Sequence, residues 1–157
     1  MRNQTLIIIA AVGLLLAPLA MADETLAIIV NKNSPLENVT SSELVKIFRG
    51  EKSKAPDGTR FTVVMREPRS PEREAALRGI YQMSDQEYQK YFLQATFTGA
   101  VQAAPKKVTG ASGVKSYISN NAGGIGYVKP GDVDGSVKVL KIDGKAPGES
   151  GYKLPND

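Results

Sequence analysis

Apolar residues fall along this chain in two kinds of pattern. Leu26-Ala27-Ile28-Ile29-Val30 is an unbroken apolar run, Phe61 to Met65 (FTVVM) is a second, and Gly124-Ile125-Gly126-Tyr127-Val128 is a third. Short continuous runs of this kind predict strands buried on both faces, as in a parallel sheet. Between them the apolar residues recur at helical spacing. Thr40-Ser41-Ser42-Glu43 has the form of a capping box, Leu44, Val45, Ile47 and Phe48 follow it, and Gly50 marks the stop. Ser70 is a natural N-cap with Pro71 at the first helical position, and Ala75, Ala76, Leu77 and Ile80 continue the helix. Ser84-Asp85-Gln86-Glu87 is a second capping box. The helix it opens places Tyr88, Tyr91, Phe92 and Ala95 on one side, a stripe that reads as core, and Gly99 closes it.

A looser segment runs to Lys107. A short amphipathic helix then carries Val114, Tyr117 and Ile118 and ends at Asn120-Asn121. From Val137 to Ile142 apolar residues alternate with lysine, which predicts an edge strand with one wet face. The Pro- and Gly-rich tail is expected to be pinned only in part. The order β-α-β-α-α-α-β-β predicts an α/β layer fold with a mostly parallel sheet flanked by helices.

The N-terminus has a pattern of its own. Arg2 is followed by the apolar stretch LIIIAAVGLLLAPLA and then by Ala20-Met21-Ala22. A positive residue, an apolar region too short for a comfortable membrane span and a small-residue site together predict a cleavable signal peptide over residues 1–22. The expectation is an exported, periplasmic protein without stable membrane insertion after cleavage. Residues 23–157 would then form one domain, long enough to bury a single core.

Composition removes several functions. The chain has no Cys and no His. Thiolate chemistry, Ser-His-Asp and Cys-His arrangements and the commonest transition-metal ligand are therefore absent from it. The formal net charge is +4, with lysine and arginine scattered and the aromatic residues not interleaved with basic runs, so nucleic acid is not an expected partner. Asp132 and Asp134 lack a calcium-loop pattern, and the GGIG run lacks both the dinucleotide spacing and a following Lys-Ser, so it reads as strand packing. No cofactor, metal or enzymatic activity is expected.

The succession VNKNSP, SSELVKIFRGE, PDG, VVMREPRS, YFLQATFTG and AGGIGYV resembles the periplasmic phosphate-binding proteins of ABC transporters and their relatives in the type II periplasmic-binding-protein fold. The resemblance covers nearly the whole chain after the signal segment. It implies an α/β fold of one lobe of that kind. Family members clamp ligand between two lobes, so half of the usual ligand contacts would be absent here or would come from another molecule.

The resemblance also points to a site. Phosphate-binding members carry an arginine and, four residues on, Ser-Gly-Thr at a helix N-terminus. Arg66 and Ser70 keep that spacing, while Pro71 and Glu72 replace the glycine and threonine. Proline removes a donor, and Glu72 and Glu74 put carboxylates where a dianion would meet the positive helix end. Arg66, Arg69 and Arg73 can still attract an anion. Asn33 and Ser34, in the loop after the first strand, are expected to add hydrogen bonds beside Arg66, although a plain polar turn before Pro35 fits the same residues. Two functions follow. One is a solute-binding protein taking phosphate or another small oxyanion through Arg66, Ser70, Asn33 and Ser34. The alternative is an accessory module that keeps the fold, has lost the ligand and meets a protein partner or a second copy of itself.

Overall fold

A computed structural model describes residues 25–157; the signal-peptide expectation for residues 1–22 lies outside the described residues. The strands are β1 (Ala27–Val30), β2 (Asn38–Val39), β3 (Thr62–Arg66), β4 (Lys106–Val108), β5 (Gly124–Val128), β6 (Lys138–Val139) and β7 (Lys141–Ile142). The helices are α1 (Ser41–Phe48), α2 (Pro71–Ala76), α3 (Asp85–Phe97) and α4 (Gly110–Asn120). A five-stranded sheet has the order β4-β3-β5-β1-β6, and β2 pairs with β7 in a second, two-stranded sheet.

Four strands of the main sheet run one way and β1 runs against them. β3 is parallel to β4 and β5, whereas β1 is antiparallel to both of its neighbours, β5 and β6. The apolar run of β1 correctly announced burial on both faces, since all four of its residues are buried. Its direction was not encoded in that run, because a central strand needs apolar residues on both faces whichever way it points.

Helices cover both faces, and the period-two alternation of side chains sorts the core. Ile28, Val30, Val63, Met65, Ile125 and Tyr127 pack with α1, α2 and α3 on one side. Ile29, Val64 and Val128 pack with Val114 and Ile118 of α4 on the other. Gly126 lets α4 approach: a Cβ there would stand 3.1 Å from Ile118 Cδ1 and 3.2 Å from Val64 Cβ, so the GGIG run is strand packing as expected.

Both capping boxes form. Thr40 and Ser84 accept from the N–H of Glu43 and Glu87, whose carboxylates accept the cap N–H in return. Gly50 and Gly99 take φ of 78° and 74° just past their helices. Tyr88 and Phe92 lie in the aromatic core with Phe48, Tyr81 and Tyr127.

Three details depart from the sequence pattern. The helix opened by Ser70 does not stay α: Leu77–Tyr81 form a π turn that ends at Gln82 with φ 54°. The single edge strand expected over Val137–Ile142 splits at the buried Leu140 into β6 and β7, which join different sheets. β4 lies in the segment that looked loose, since Lys-Lys-Val carries no apolar alternation. The tail is pinned in part, as expected: the Tyr152 hydroxyl donates to the Leu26 carbonyl at 2.6 Å and Leu154 is buried against Gly79, while residues 148–151 are exposed.

Candidate functional site

Three parallel strands deliver their C-terminal ends to one edge of the sheet. β3 ends in Arg66, β4 is followed by the N-terminus of α4 at Gly110, and β5 is followed by Lys129. This edge is where ligands bind in open α/β sheets. Arg66 is turned into it and is 8 % exposed. Its backbone N–H donates to the buried Tyr127 hydroxyl at 3.1 Å, and burial pushes that phenol well above its ordinary pKa.

The Arg66 guanidinium is already liganded by carboxylates. Nε and one terminal nitrogen donate to both oxygens of Glu67, at 2.8 and 3.0 Å, a two-pronged contact. The other terminal nitrogen lies 3.3 Å from Glu72, itself 7 % exposed. Glu67 also accepts the N–H of Gly110 at 3.3 Å, so one carboxylate bridges the arginine and an orphan donor of α4. The Arg66 bond, helped by the Gly110 N–H, lowers the Glu67 pKa from 4.5 to about 2. In return Glu67, and then Glu72, raise the pKa of Arg66 against the effect of its burial. Lys129 Nζ stands 3.9 Å from the same Glu72 oxygen.

The loop between Arg66 and α2 is built as a cap. Arg69 takes φ 67°, which turns the chain so that Ser70 Oγ accepts the Arg73 N–H at 3.2 Å. Pro71 occupies the first helical position. Arg73 is 3 % exposed. Its guanidinium binds Asp85 at 2.8 and 2.6 Å and the Arg66 carbonyl at 3.1 Å, and lies 4.8 Å from the Tyr88 ring centre. Burial pushes the Asp85 pKa up, but bonds from Arg73 and Gln89 win and hold it below its ordinary value. Of the three arginines expected to attract an anion, Arg73 is thus consumed in tying α2 to α3.

Arg66 and Ser70 come together on this loop, but Asn33 and Ser34 do not join them. This corrects the expectation of one shared site. Because β1 runs antiparallel, its C-terminal loop leaves the opposite edge of the sheet. Val30 and Val63 both lie beside Ile125, and the chain runs in opposite directions from there to Asn33 and to Arg66. Asn33 and Arg66 therefore lie at opposite ends of these strands. Their loop has structural work. The Asn31 amide donates to the carbonyls of Ile118, Ser119 and Asn121, closing the end of α4, and its oxygen accepts the Asn33 N–H. Ser34 accepts the Leu36 N–H through its hydroxyl and the Lys138 ammonium through its carbonyl. Sequence reasoning missed Glu67 and Tyr127 as partners of Arg66. The adjacency Arg66-Glu67 was the available signal for the first; the second depends on β5 lying beside β3.

Asp134 binds Lys115 and Ser136, and no group of acidic residues suited to a metal ion occurs among the described residues.

Known proteins share this fold. Residues 16–149 match the family model of the PBP superfamily domain, and the chain belongs to that family. Among solved structures it is similar to an ABC-type phosphate transport receptor from Vibrio cholerae, with TM-score 0.64 and 24 % identity over 78 % of this chain and 48 % of that one. It is also similar to a phosphate ABC transporter substrate-binding protein with bound phosphate from Clostridium perfringens, with TM-score 0.63 and 24 % identity over 78 % of this chain and 46 % of the other. PstS from Borrelia burgdorferi matches with TM-score 0.60 and 20 % identity over 78 % and 49 %. At these identities the matches show the fold, and the chain spans about half the length of the proteins it matches. No curated protein matches the sequence. No helix among the described residues is long and apolar enough to cross a membrane.

Proposed function

We propose that the chain is an exported, non-catalytic relative of the phosphate-transporter binding proteins that acts by contacting another protein and does not capture free phosphate. One observation carries this reading: the Arg66 guanidinium, nearly buried, is held by the Glu67 and Glu72 carboxylates. A carboxylate forked onto an arginine supplies the charge and the acceptor geometry that a bound oxyanion would supply. With Glu72 buried beside it, an entering dianion meets negative charge in a poorly screened place. Pro71 offers no N–H. The lack of His and Cys supports a binding role over an enzymatic one.

A second reading has an observation of its own. The Glu67 side chain is 32 % exposed, so it can swing out and leave Arg66 and Ser70 to an oxyanion. Titration calorimetry with phosphate and with sulfate separates the two. Protein recovered from cells expressing the full chain is expected to give no saturable heat at millimolar anion. Saturable heat with phosphate that disappears in Arg66→Ala would establish the second reading and overturn the first.

A further inference from the structure

Two depressions on the α3 side of the sheet, of about 440 and 420 Å3, share Phe92, Ala104, Pro105 and Lys107 in their walls and so form one continuous groove. It runs between α3 and the 101–107 connection. Its floor is apolar, made by Met65, Phe92 and Val101. On its lip α3 presents Leu93, 72 % exposed, and one turn on along the same helix, past the groove wall, stands Phe97, 91 % exposed. Neither belongs to the core, and both would lose apolar surface to a partner.

The charge along the groove has one sign. Arg60, Lys106 and Lys107 line it together with Lys52 and Arg73, which are paired with Glu43 and Asp85, and no acidic side chain is part of its wall. Arg60 hydrogen-bonds Gln102, a neutral partner. Lys106 and Lys107 make no direct ion pair among the described residues, although the Lys107 charge acts on the nearby Asp85 carboxylate. This contrasts with Lys52 and Arg73 in the same groove and with Arg66, Lys115 and Lys138 elsewhere, each of which is matched by a carboxylate.

We propose that this groove docks an acidic segment of a partner protein, with apolar side chains seated on the Phe92 floor and against Leu93 and Phe97, and with carboxylates met by Arg60, Lys106 and Lys107. The proposal rests on the protein-contact reading above and names the surface and the chemistry of the partner. Apolar anchors supply affinity, and the rim cations Arg60, Lys106 and Lys107, none in direct contact with a carboxylate, supply orientation and rate. A second copy of the chain is the wrong occupant, because each copy would bring the same cationic groove and a net charge of +4.

The test uses isotope-labelled protein recovered from cells expressing the full chain. The probe is a short synthetic peptide alternating glutamate with leucine and phenylalanine, and the control replaces glutamate with lysine. The acidic peptide is expected to saturate, to shift amides of α3 and of residues 101–108, and to weaken as salt is raised. Lys106→Glu with Lys107→Glu, and separately Phe97→Ser, are each expected to weaken binding roughly tenfold. These side chains are exposed, so unchanged signals elsewhere report an intact fold. Absence of saturation, shifts mapping to another face, equal binding of the lysine peptide, dimerisation through Phe97, or binding to anionic vesicles and not to the peptide would each overturn the proposal. The phosphate titration is independent of these outcomes. A failed groove with no phosphate heat leaves the protein-contact reading standing, whereas saturable phosphate heat removes that reading whatever the groove does.

Discussion

Replacing Glu67 with glutamine tests whether the carboxylate on Arg66 is part of what holds the strand edge together. The variant keeps the size of the side chain and removes its charge. Glu67 is bonded to Arg66 at 2.8 and 3.0 Å and to the Gly110 N–H, and its pKa is lowered from 4.5 to about 2. A depression of that size corresponds to about 3 kcal/mol of stability at neutral pH before solvent is considered. The side chain is 32 % exposed, and exposed ion pairs are commonly worth under about 1 kcal/mol, so the screened loss is roughly 1–2 kcal/mol. The sign of the pH dependence is fixed. A carboxylate whose folded pKa is depressed contributes fully above its unfolded pKa, and the contribution fades as pH falls from about 4.5 towards about 2. Urea unfolding of both proteins is expected to show the wild type more stable near neutral pH, with the gap reduced to less than roughly half near pH 3. An equal gap at both pH values would refute the electrostatic account, since packing alone does not titrate. No gap at neutral pH would show that Arg66 and Glu67 are held together at no net gain.

Three further substitutions test the surrounding frame. Tyr127→Phe removes the acceptor of the buried Arg66 N–H, and a loss of about 1–3 kcal/mol is expected in thermal or urea unfolding; an unchanged midpoint would mean that water reaches this N–H. Asn31→Ala strips the donor from three carbonyls at the end of α4 and should cost about 2 kcal/mol, with faster hydrogen exchange confined to the Asn33 and Gly124 region; unchanged protection would refute the capping role. Gly123→Ala would place a Cβ 1.7 Å from the Arg60 carbonyl oxygen, a backbone clash expected to cost about 3 kcal/mol or more or to prevent recovery of folded protein. Near-normal stability there would show that the 60–62 strand entry shifts readily to admit a methyl group.

Much of the frame was legible in the residues. The capping boxes at Thr40 and Ser84 and the glycines that end α1 and α3 act through backbone groups only a few residues away, so local sequence is enough to define them. The burial of β1, β3 and β5 was legible for a similar reason, since continuous apolar runs have no wet face to offer. The short strands were not. β2, β6 and β7 have two residues each and β4 has three, and their pairing is created by neighbours far away in the chain.

The candidate site divides along the same line. Ser70 as a cap, Pro71 at the first helical position and the placement of Glu72 in the first turn were set by sequence alone, because each acts within one turn of helix. Only the tertiary structure decided what Arg66 touches. The direction of β1 sent Asn33 and Ser34 to the far edge of the sheet, and the order of strands put Tyr127 and the start of α4 beside Arg66. Strand direction and order are long-range properties fixed by how separate apolar runs pack against one another. Residues that meet across a sheet therefore leave no spacing in the chain from which their meeting could be read.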